Sequence, residues 1–119
     1  MNKRRIGSEK ERLVCKYLKK KGYSIVTTNY WCRYAEIDIV AKEADVLVFV
    51  EVKYRGNAHY GGSMGAVSQN KIRKISQCAV YYIFKEQIPP DTPMRFDVVA
   101  IDGTCVTHLE NAFEVMGDF

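Results

Sequence analysis

Apolar residues recur along the chain at two spacings, one typical of helices and one typical of strands. After Ser8, helical spacing is kept by four apolar residues, Leu13, Val14, Tyr17 and Leu18. Ser8-x-x-Glu11 has the form of a capping box, and Gly22 follows a basic run at 19–21. We therefore predict a first helix that begins at Ser8 and ends at Gly22.

Strand-like segments occupy five further stretches, at 23–31, 35–42, 46–54, 94–101 and 105–109. An apolar stripe at helical spacing predicts a second helix over 68–87, which Pro89 and Pro90 end. Only 43–45 separate the second and third strands, and this short connection favours a hairpin. The element order is α-β-β-β-α-β-β, so we predict one α/β domain over 1–119 with a central mixed β-sheet flanked by helices.

The third strand, VLVFVEVKY, carries two charged residues on one face. Side chains alternate along a strand, so Glu51 and Lys53 share the face of Leu47 and Phe49. On the second strand the same alternation places Glu36 and Asp38 on one face. The opposite face then carries the apolar residues Ala35, Ile37, Ile39 and Ala41.

Strand pairing decides whether these charges meet. If the numbers of paired residues in the hairpin sum to an odd value, Asp38 comes to lie beside Glu51 and Lys53. Glu9, one turn before Leu13 on the first helix, is expected to reach the same end of the sheet.

Such a convergence of carboxylates predicts a particular chemistry. Two carboxylates in a partly dry cleft repel each other unless a proton or a cation lies between them. Carboxylate oxygens together with several waters are the ligands that Mg²⁺ or Mn²⁺ prefers. A lysine beside the metal can orient the attacking water, and the metal stabilises charge on a phosphate. The residues therefore indicate metal-dependent phosphodiester hydrolysis.

The same residues carry a family resemblance. Asp38 followed by Glu51-Val52-Lys53 resembles the D…ExK signature of the PD-(D/E)xK nuclease superfamily, which has a restriction-endonuclease-like core. Glu9 is similar to the extra acidic residue of archaeal Holliday junction resolvases. From Gly7 to about Ile101, segments such as LVFVEVKYR and RFDVVAI resemble the YraN-like family of small bacterial proteins.

The resemblance implies a role for each matched position. Asp38 and Glu51 become metal ligands, the Val52 carbonyl a further ligand, and Lys53 the group that orients water. Ala35 departs from the glycine usual in the family before Glu-Ile-Asp, without removing a ligand.

Several polar and basic residues are expected to contact nucleic acid. Gln69 and Lys71 match polar positions that flank the site in relatives. The loop and the second helix place Arg55, Arg73 and Lys74 where a phosphate backbone can run. The net charge of +4 is compatible with this polyanionic partner, for which we expect DNA rather than RNA.

Location and assembly follow from coarser features. No apolar run is long enough to span a membrane, and the four cysteines are scattered without a CxxC pair. Reduced thiols are therefore favoured over disulfides or a zinc site, and we expect a cytoplasmic protein without a membrane partner. A homodimer is left open.

Alternatives remain at several positions. Glu36 and Lys53 can form a solvated ion pair, Glu9 can simply favour the start of a helix, and Lys71 can be a solvated helix residue. Asp97 is expected to be structural, paired with Arg95 or Arg33. The remaining aromatic and loop candidates either contact nucleic acid or have ordinary packing roles; they are Tyr30, Trp31, Tyr34, His59 and Tyr60.

Two functions are consistent with these observations. The first is a nuclease, with structure-selective cleavage as one form of it. The second is a catalytically silent nucleic-acid-binding module that retains the fold.

Overall fold

The structure, a computed structural model, describes residues 2–33, 35–55, 68–103 and 105–114. For residues 2–8 and Arg55 it describes the backbone only. Tyr34 and the glycine-rich loop with His59 and Tyr60 lie outside the described residues. Seven elements follow one another: α1 (Asn2–Lys20), β1 (Ser24–Trp31), β2 (Glu36–Glu43), β3 (Val46–Arg55), α2 (Gln69–Lys85), β4 (Met94–Asp102) and β5 (Cys105–Phe113). The predicted α/β class and the order α-β-β-β-α-β-β are confirmed.

The five strands form one sheet in the order β1-β2-β3-β4-β5. Strands β3 and β4 are parallel, whereas the other neighbouring pairs are antiparallel. A parallel pair requires a long crossover, which the segment containing α2 supplies. The predicted mixed sheet is therefore confirmed.

The first helix ends as predicted but starts earlier. Gly22 has φ +100°, its N–H donates to the Lys19 carbonyl at 3.0 Å, and the Tyr23 N–H donates to the Leu18 carbonyl at 3.0 Å. This is the hydrogen-bond pattern of a Schellman motif, which needs a left-handed residue at Gly22. The predicted start at Ser8 is wrong, because α1 already begins at Asn2 and Ser8 is inside it.

The second helix begins where the sequence indicated. Ser68 is its N-cap, and its hydroxyl oxygen accepts a hydrogen bond from the Lys71 N–H at 3.1 Å. The helix ends at Lys85, before the two prolines. Within the described residues, no helix combines the length and the apolar character needed to cross a membrane.

Two apolar cores lie on opposite faces of the sheet. The first packs α1 residues Val14 and Leu18 against alternate strand residues, namely Ile39, Ala41, Val48, Val50, Val99 and Ile101. The second packs α2 residues Ile75, Ala79 and Tyr82 against Ile37, Val40, Leu47, Phe49 and Phe96. The alternation predicted for β3 is confirmed, since its valines and its Leu47 and Phe49 enter different cores.

Strand β2 does not alternate over its whole length. Ile39 belongs to the α1 core, but Ile37 packs in the α2 core, so the prediction that they share a face is wrong. The adjacent strand is irregular at the same level: Asn29, between the pairs Thr28–Ile39 and Tyr30–Ile37, has φ 53°. Asparagine tolerates this left-handed conformation better than most residues, and the local change of backbone direction accompanies the change of face.

Candidate active site

The candidate site lies where β2 and β3 separate. Their pairing runs from Glu43–Val46 to Ile39–Val50, in the odd-sum register on which the predicted site depends, and stops one residue before Asp38 and Glu51. There the Val52 N–H donates to Asp38 Oδ2 at 2.8 Å. The Asp38 carboxylate thus serves as the acceptor for the β3 backbone at this point, and a cleft opens between the strands.

A pocket of about 470 Å³ occupies this cleft. We call it the acidic pocket; it is lined by Ala35, Glu36, Asp38, Glu51, Val52, Ser68, Asn70, Lys71 and Lys74. Two predicted metal ligands, Asp38 and Glu51, therefore share one pocket with the first turns of α2.

Asp38 is the most perturbed acid in the acidic pocket. Burial raises the pKa of its carboxyl to about 8, with a further increase from the negative charge of Glu51 and only partial compensation by the Val52 N–H. Ionising Asp38 is therefore unfavourable unless positive charge is brought close to it.

Glu51 is paired with a lysine of α2. Only 6% of Glu51 is exposed, and its Oε2 lies 2.6 Å from Lys71 Nζ. Burial alone would lower the pKa of Lys71, but the hydrogen bond and the charge of Glu51 outweigh it and raise that pKa. Lys71, predicted to contact phosphate, is thus also the counter-ion of a predicted metal ligand.

The α1 carboxylate that lies close to Asp38 is that of Glu11. Glu11, Glu36 and Asp38 each have a carboxylate oxygen within 4.8 Å of the others. The Asn29 amide donates to Glu11 Oε2 at 2.8 Å and to Glu36 Oε2 at 2.7 Å. Burial raises the pKa of Glu11 and nearby Glu36 raises it further, whereas the bond from Asn29 lowers it. Asn29 therefore links α1 to β2 by two hydrogen bonds at the edge of the site.

Glu9, the predicted helix carboxylate, is exposed and lies outside this group of three. The sequence pattern predicts that Leu13 is buried, but Leu13 is 42% exposed, whereas Val14 and Leu18 are fully buried. Glu11 precedes Val14 by three residues and so lies on the buried stripe. The spacing of Glu11, Val14 and Leu18 was the sequence signal that could have identified it.

Comparison with known proteins supports the resemblance found in the sequence. The model of the family described as Uncharacterised protein family UPF0102 matches residues 10–101, most of the chain. The chain belongs to the UPF0102 family. This confirms the YraN-like resemblance, because the two names denote one family. The matched range includes Glu11, Asp38, Glu51, Lys53 and Lys71, whereas Glu9 precedes it.

The UPF0102 relatives align over nearly their whole length. A UPF0102 protein of Lachnoclostridium phytofermentans is 44% identical over 117 residues, covering 98% of this chain and 99% of the relative. One from Legionella pneumophila strain Philadelphia 1 is 41% identical over 110 residues, covering 91% and 93%. One from Psychromonas ingrahamii is 37% identical over 116 residues, covering 95% and 91%.

The other predicted site residues of this UPF0102 protein are more dispersed. Lys53 is half-buried on β3 and is not among the residues that line the acidic pocket. Gln69 and Arg73 are exposed on α2 and also do not line it, whereas Lys74 does. Arg55 ends β3, and its side chain lies outside the described residues.

The side chains present fit a hard divalent cation. Three carboxylates, Glu11, Glu36 and Asp38, lie close enough to share one ion, and Asp38 and Glu51 line the same pocket. Oxygen donors of this kind suit Mg²⁺ or Mn²⁺ rather than softer metals. Val52 lines the pocket as well, with its N–H bonded to Asp38.

A second polar cluster of the UPF0102 protein has a structural character. Asp97 is fully buried and accepts hydrogen bonds from Tyr23 Oη at 3.2 Å, Arg95 Nε at 3.0 Å and the Asn111 N–H at 3.0 Å. His108 Nε2 lies 2.8 Å from the same carboxylate. Burial alone would raise the pKa of Asp97, but the bonds from His108, Arg95 and Asn111 hold it below its ordinary value. The predicted pairing of Asp97 with Arg95 is confirmed.

The cysteines form no disulfide within the described residues; they are Cys15, Cys32, Cys78 and Cys105. Cys78 is buried, Cys15 and Cys32 are half-buried, and Cys105 is exposed.

Proposed function

We propose that this UPF0102 protein is a metal-dependent nuclease that hydrolyses phosphodiester bonds in nucleic acid, with Mg²⁺ or Mn²⁺ as its cofactor. The observation that carries the proposal is the opening between β2 and β3, where Asp38 and Glu51 line one pocket beside Glu11 and Glu36. Crowded, partly buried carboxylates are costly in a metal-free protein, and a cation removes that cost. The arrangement of β2, β3 and the start of α2 around this pocket is compatible with the PD-(D/E)xK resemblance.

Each group has an assigned role in this proposal. Asp38 and Glu51 would hold the cation, and Glu11 and Glu36, whose carboxylate oxygens lie within 4.8 Å of that of Asp38, would be further ligands. When bound, the ion would supply Lewis-acid stabilisation of the charge that develops on the phosphate. Lys53 orients the attacking water from its position two residues after Glu51.

The substrate phosphates fit the helical side of the pocket. Ser68, Asn70, Lys71 and Lys74 line it at the N-terminal turns of α2, and the first turn contains no acidic residue. A helix N-terminus and nearby lysines favour phosphate groups. Binding of phosphate by Lys71 would also draw this lysine away from Glu51, leaving that carboxylate to the metal.

The remaining assignments are also proposals. We favour DNA over RNA as the substrate, place the activity in the cytoplasm, where free thiols stay reduced, and leave a homodimer open.

A catalytically silent nucleic-acid-binding module is the second candidate. Two observations favour it: Glu51 is already neutralised by Lys71 at 2.6 Å, and Lys53 does not line the acidic pocket. In that case the basic residues of α2 would still bind nucleic acid, but no cleavage would follow.

A substrate panel separates the two candidates. Branched, single-stranded and duplex DNA, with matching RNA, would be incubated with the full chain in Mg²⁺, in Mn²⁺ and in chelator. The nuclease proposal predicts cleavage of at least one substrate that requires metal. Binding without cleavage under every metal condition would support the silent module, and neither binding nor cleavage would contradict both.

A further inference from the structure

A second pocket, of about 620 Å³, lies at the C-terminal part of α2. We call it the aromatic pocket; it is lined by Tyr30, Trp31, Cys32, Arg33, Tyr81 and Lys85. The described residues that line it combine three aromatic rings and two cations and include no carboxylate.

Two of the three aromatic rings that line this pocket are unusually exposed. Trp31, the only tryptophan of the chain, is 63% exposed, and Tyr81 is 45% exposed. Large aromatic side chains are normally mostly buried, and exposed ones in a concave site are available for stacking. Lys85 Nζ lies 5.8 Å from the centroid of the Tyr81 ring, so a positive charge is held beside this surface.

Tyr30 brings an unused hydrogen-bonding group to the same place. Its ring packs edge-on against Tyr82, with centroids 5.0 Å apart. Its hydroxyl oxygen is buried and has no hydrogen-bond partner within the described part of the chain. Burial raises the pKa of this hydroxyl, which therefore remains protonated and able to donate. A buried donor without a partner is costly, and a polar ligand atom can remove that cost.

One helix stripe connects the two pockets. Lys71 and Lys74 line the acidic pocket, and Tyr81 and Lys85 line the aromatic pocket. The spacings from 71 to 74, 78, 81 and 85 keep one face of a helix, and this stretch of α2 is about 21 Å long. Between the pockets, Cys78 Sγ lies 3.5 Å from the Ala35 carbonyl, which also accepts the Cys32 N–H at 2.9 Å. Because Cys78 is fully buried, a chain of phosphates that meets both pockets would pass outside this contact.

We infer that the aromatic pocket binds an unpaired nucleotide of the nucleic acid, with its base stacked on Trp31 or Tyr81 and its phosphate near Arg33 or Lys85. This rests on the proposed function and narrows its substrate class to nucleic acid with a single-stranded portion. Base pairs in a continuous duplex do not expose a ring face, whereas an unpaired base does. The cations complement the phosphate, and the volume lies within the range of small-molecule sites.

The fluorescence of Trp31, the single tryptophan, can report binding in the aromatic pocket. Its fluorescence would be titrated with oligothymidylate, with oligouridylate, with a blunt duplex and with inorganic phosphate, all in chelator so that no cleavage occurs. We expect both single strands to quench the signal and the duplex and phosphate to leave it nearly unchanged; the ratio of the two single-strand affinities distinguishes DNA from RNA.

Two matched variants test whether stacking causes the effect. Tyr81→Ala should weaken single-strand binding about tenfold and leave duplex binding unchanged, whereas Tyr81→Phe should retain it. Phe84→Ala is the control, because Phe84 is an 83% exposed aromatic residue of α2 that does not line the pocket. Circular dichroism would verify that each variant is folded.

Several results would overturn the inference. These are an unchanged Trp31 signal with every oligonucleotide, an equal response to phosphate alone, or equal losses in Tyr81→Ala and Phe84→Ala. A signal that changes with protein concentration alone would identify a self-association surface instead.

The inference and the proposed function fail separately. If single strands quench Trp31 but no substrate is ever cleaved, the pocket assignment stands and the nuclease proposal fails. If metal-dependent cleavage occurs with full activity in Tyr81→Ala and without quenching, the nuclease stands and the pocket assignment fails.

Discussion

Replacing Asp38 by asparagine should stabilise the metal-free protein. The pKa of this carboxyl rises from 3.8 to about 8 on folding, because of burial and the charge of Glu51. Each pKa unit corresponds to about 1.4 kcal/mol, so the penalty at pH 7 is roughly 4 kcal/mol as an upper limit. Asparagine is neutral in the folded and unfolded states, so it avoids this penalty, and it keeps an oxygen that can accept the Val52 N–H. Since the folded wild type is itself largely protonated at Asp38 at pH 7 and 4 kcal/mol is an upper limit, we expect a net gain of about 1–3 kcal/mol.

The pH dependence has a definite sign. A carboxyl with a raised folded pKa binds its proton more tightly in the folded state, so the stability of the wild type falls as pH rises from about 4 towards 8. The difference between variant and wild type should therefore be small near pH 4 and largest near pH 8.

Urea unfolding in chelator at several pH values measures this difference. Asp45→Asn, which changes an exposed carboxylate in the β2–β3 turn, should leave stability nearly unchanged. Added Mn²⁺ should stabilise the wild type and not Asp38→Asn. The reasoning would be refuted by a variant that is less stable than the wild type at pH 8, or by a difference that does not change with pH.

Two other predictions concern the remaining charged groups. Asp97→Asn should lower the free energy of unfolding by about 3 kcal/mol at pH 7, because it leaves Arg95 and His108 without their buried partner. The lowered pKa of Asp97 stabilises the fold above pH 4, and this contribution is lost as the pH falls through the folded pKa. The thermal unfolding temperature of the variant should therefore depend less on pH in acid than that of the wild type. An equal dependence in both proteins would contradict this prediction. Lys53→Ala should keep nucleic-acid affinity within a few fold and abolish cleavage, whereas Lys71→Ala with Lys74→Ala should weaken binding, reduce its salt dependence and largely spare cleavage at saturating substrate. Both variants would be tested by salt-dependent binding and by single-turnover cleavage. A loss of cleavage limited to the double variant would contradict the roles assigned to Lys53 and to the two α2 lysines.

The fold was largely predictable because its patterns are local. Alternating valines in β3, the short β2–β3 connection and the glycine at the end of α1 each act through neighbouring residues, and all three predictions agree with the structure. These features need no knowledge of distant contacts. The odd-sum register was a condition of the predicted site and did not follow from the connection length, because a three-residue connection over 43–45 would pair 42 with 46, whereas the structure pairs Glu43 with Val46.

The details of the site depend on distant contacts and were harder to predict. Glu11 fitted a capping box, but α1 begins six residues before Ser8, so this acid is free to approach β2 through Asn29. The face of Ile37 changes at the level of a left-handed residue in the neighbouring strand. The pairing of Lys71 with Glu51 joins two segments separated by the glycine-rich loop, and no periodicity reports such a contact.

Single-turnover cleavage by the wild type and by Asp38→Asn, on the best substrate of the panel, tests the central claim most directly. The two proteins would be purified identically and used above the substrate concentration, with Mn²⁺, with Mg²⁺ and with chelator. The account predicts metal-dependent cleavage by the wild type and none by Asp38→Asn, although the variant is folded and binds the substrate. Cleavage of equal rate in both proteins, or no cleavage by the wild type with either metal, would contradict it.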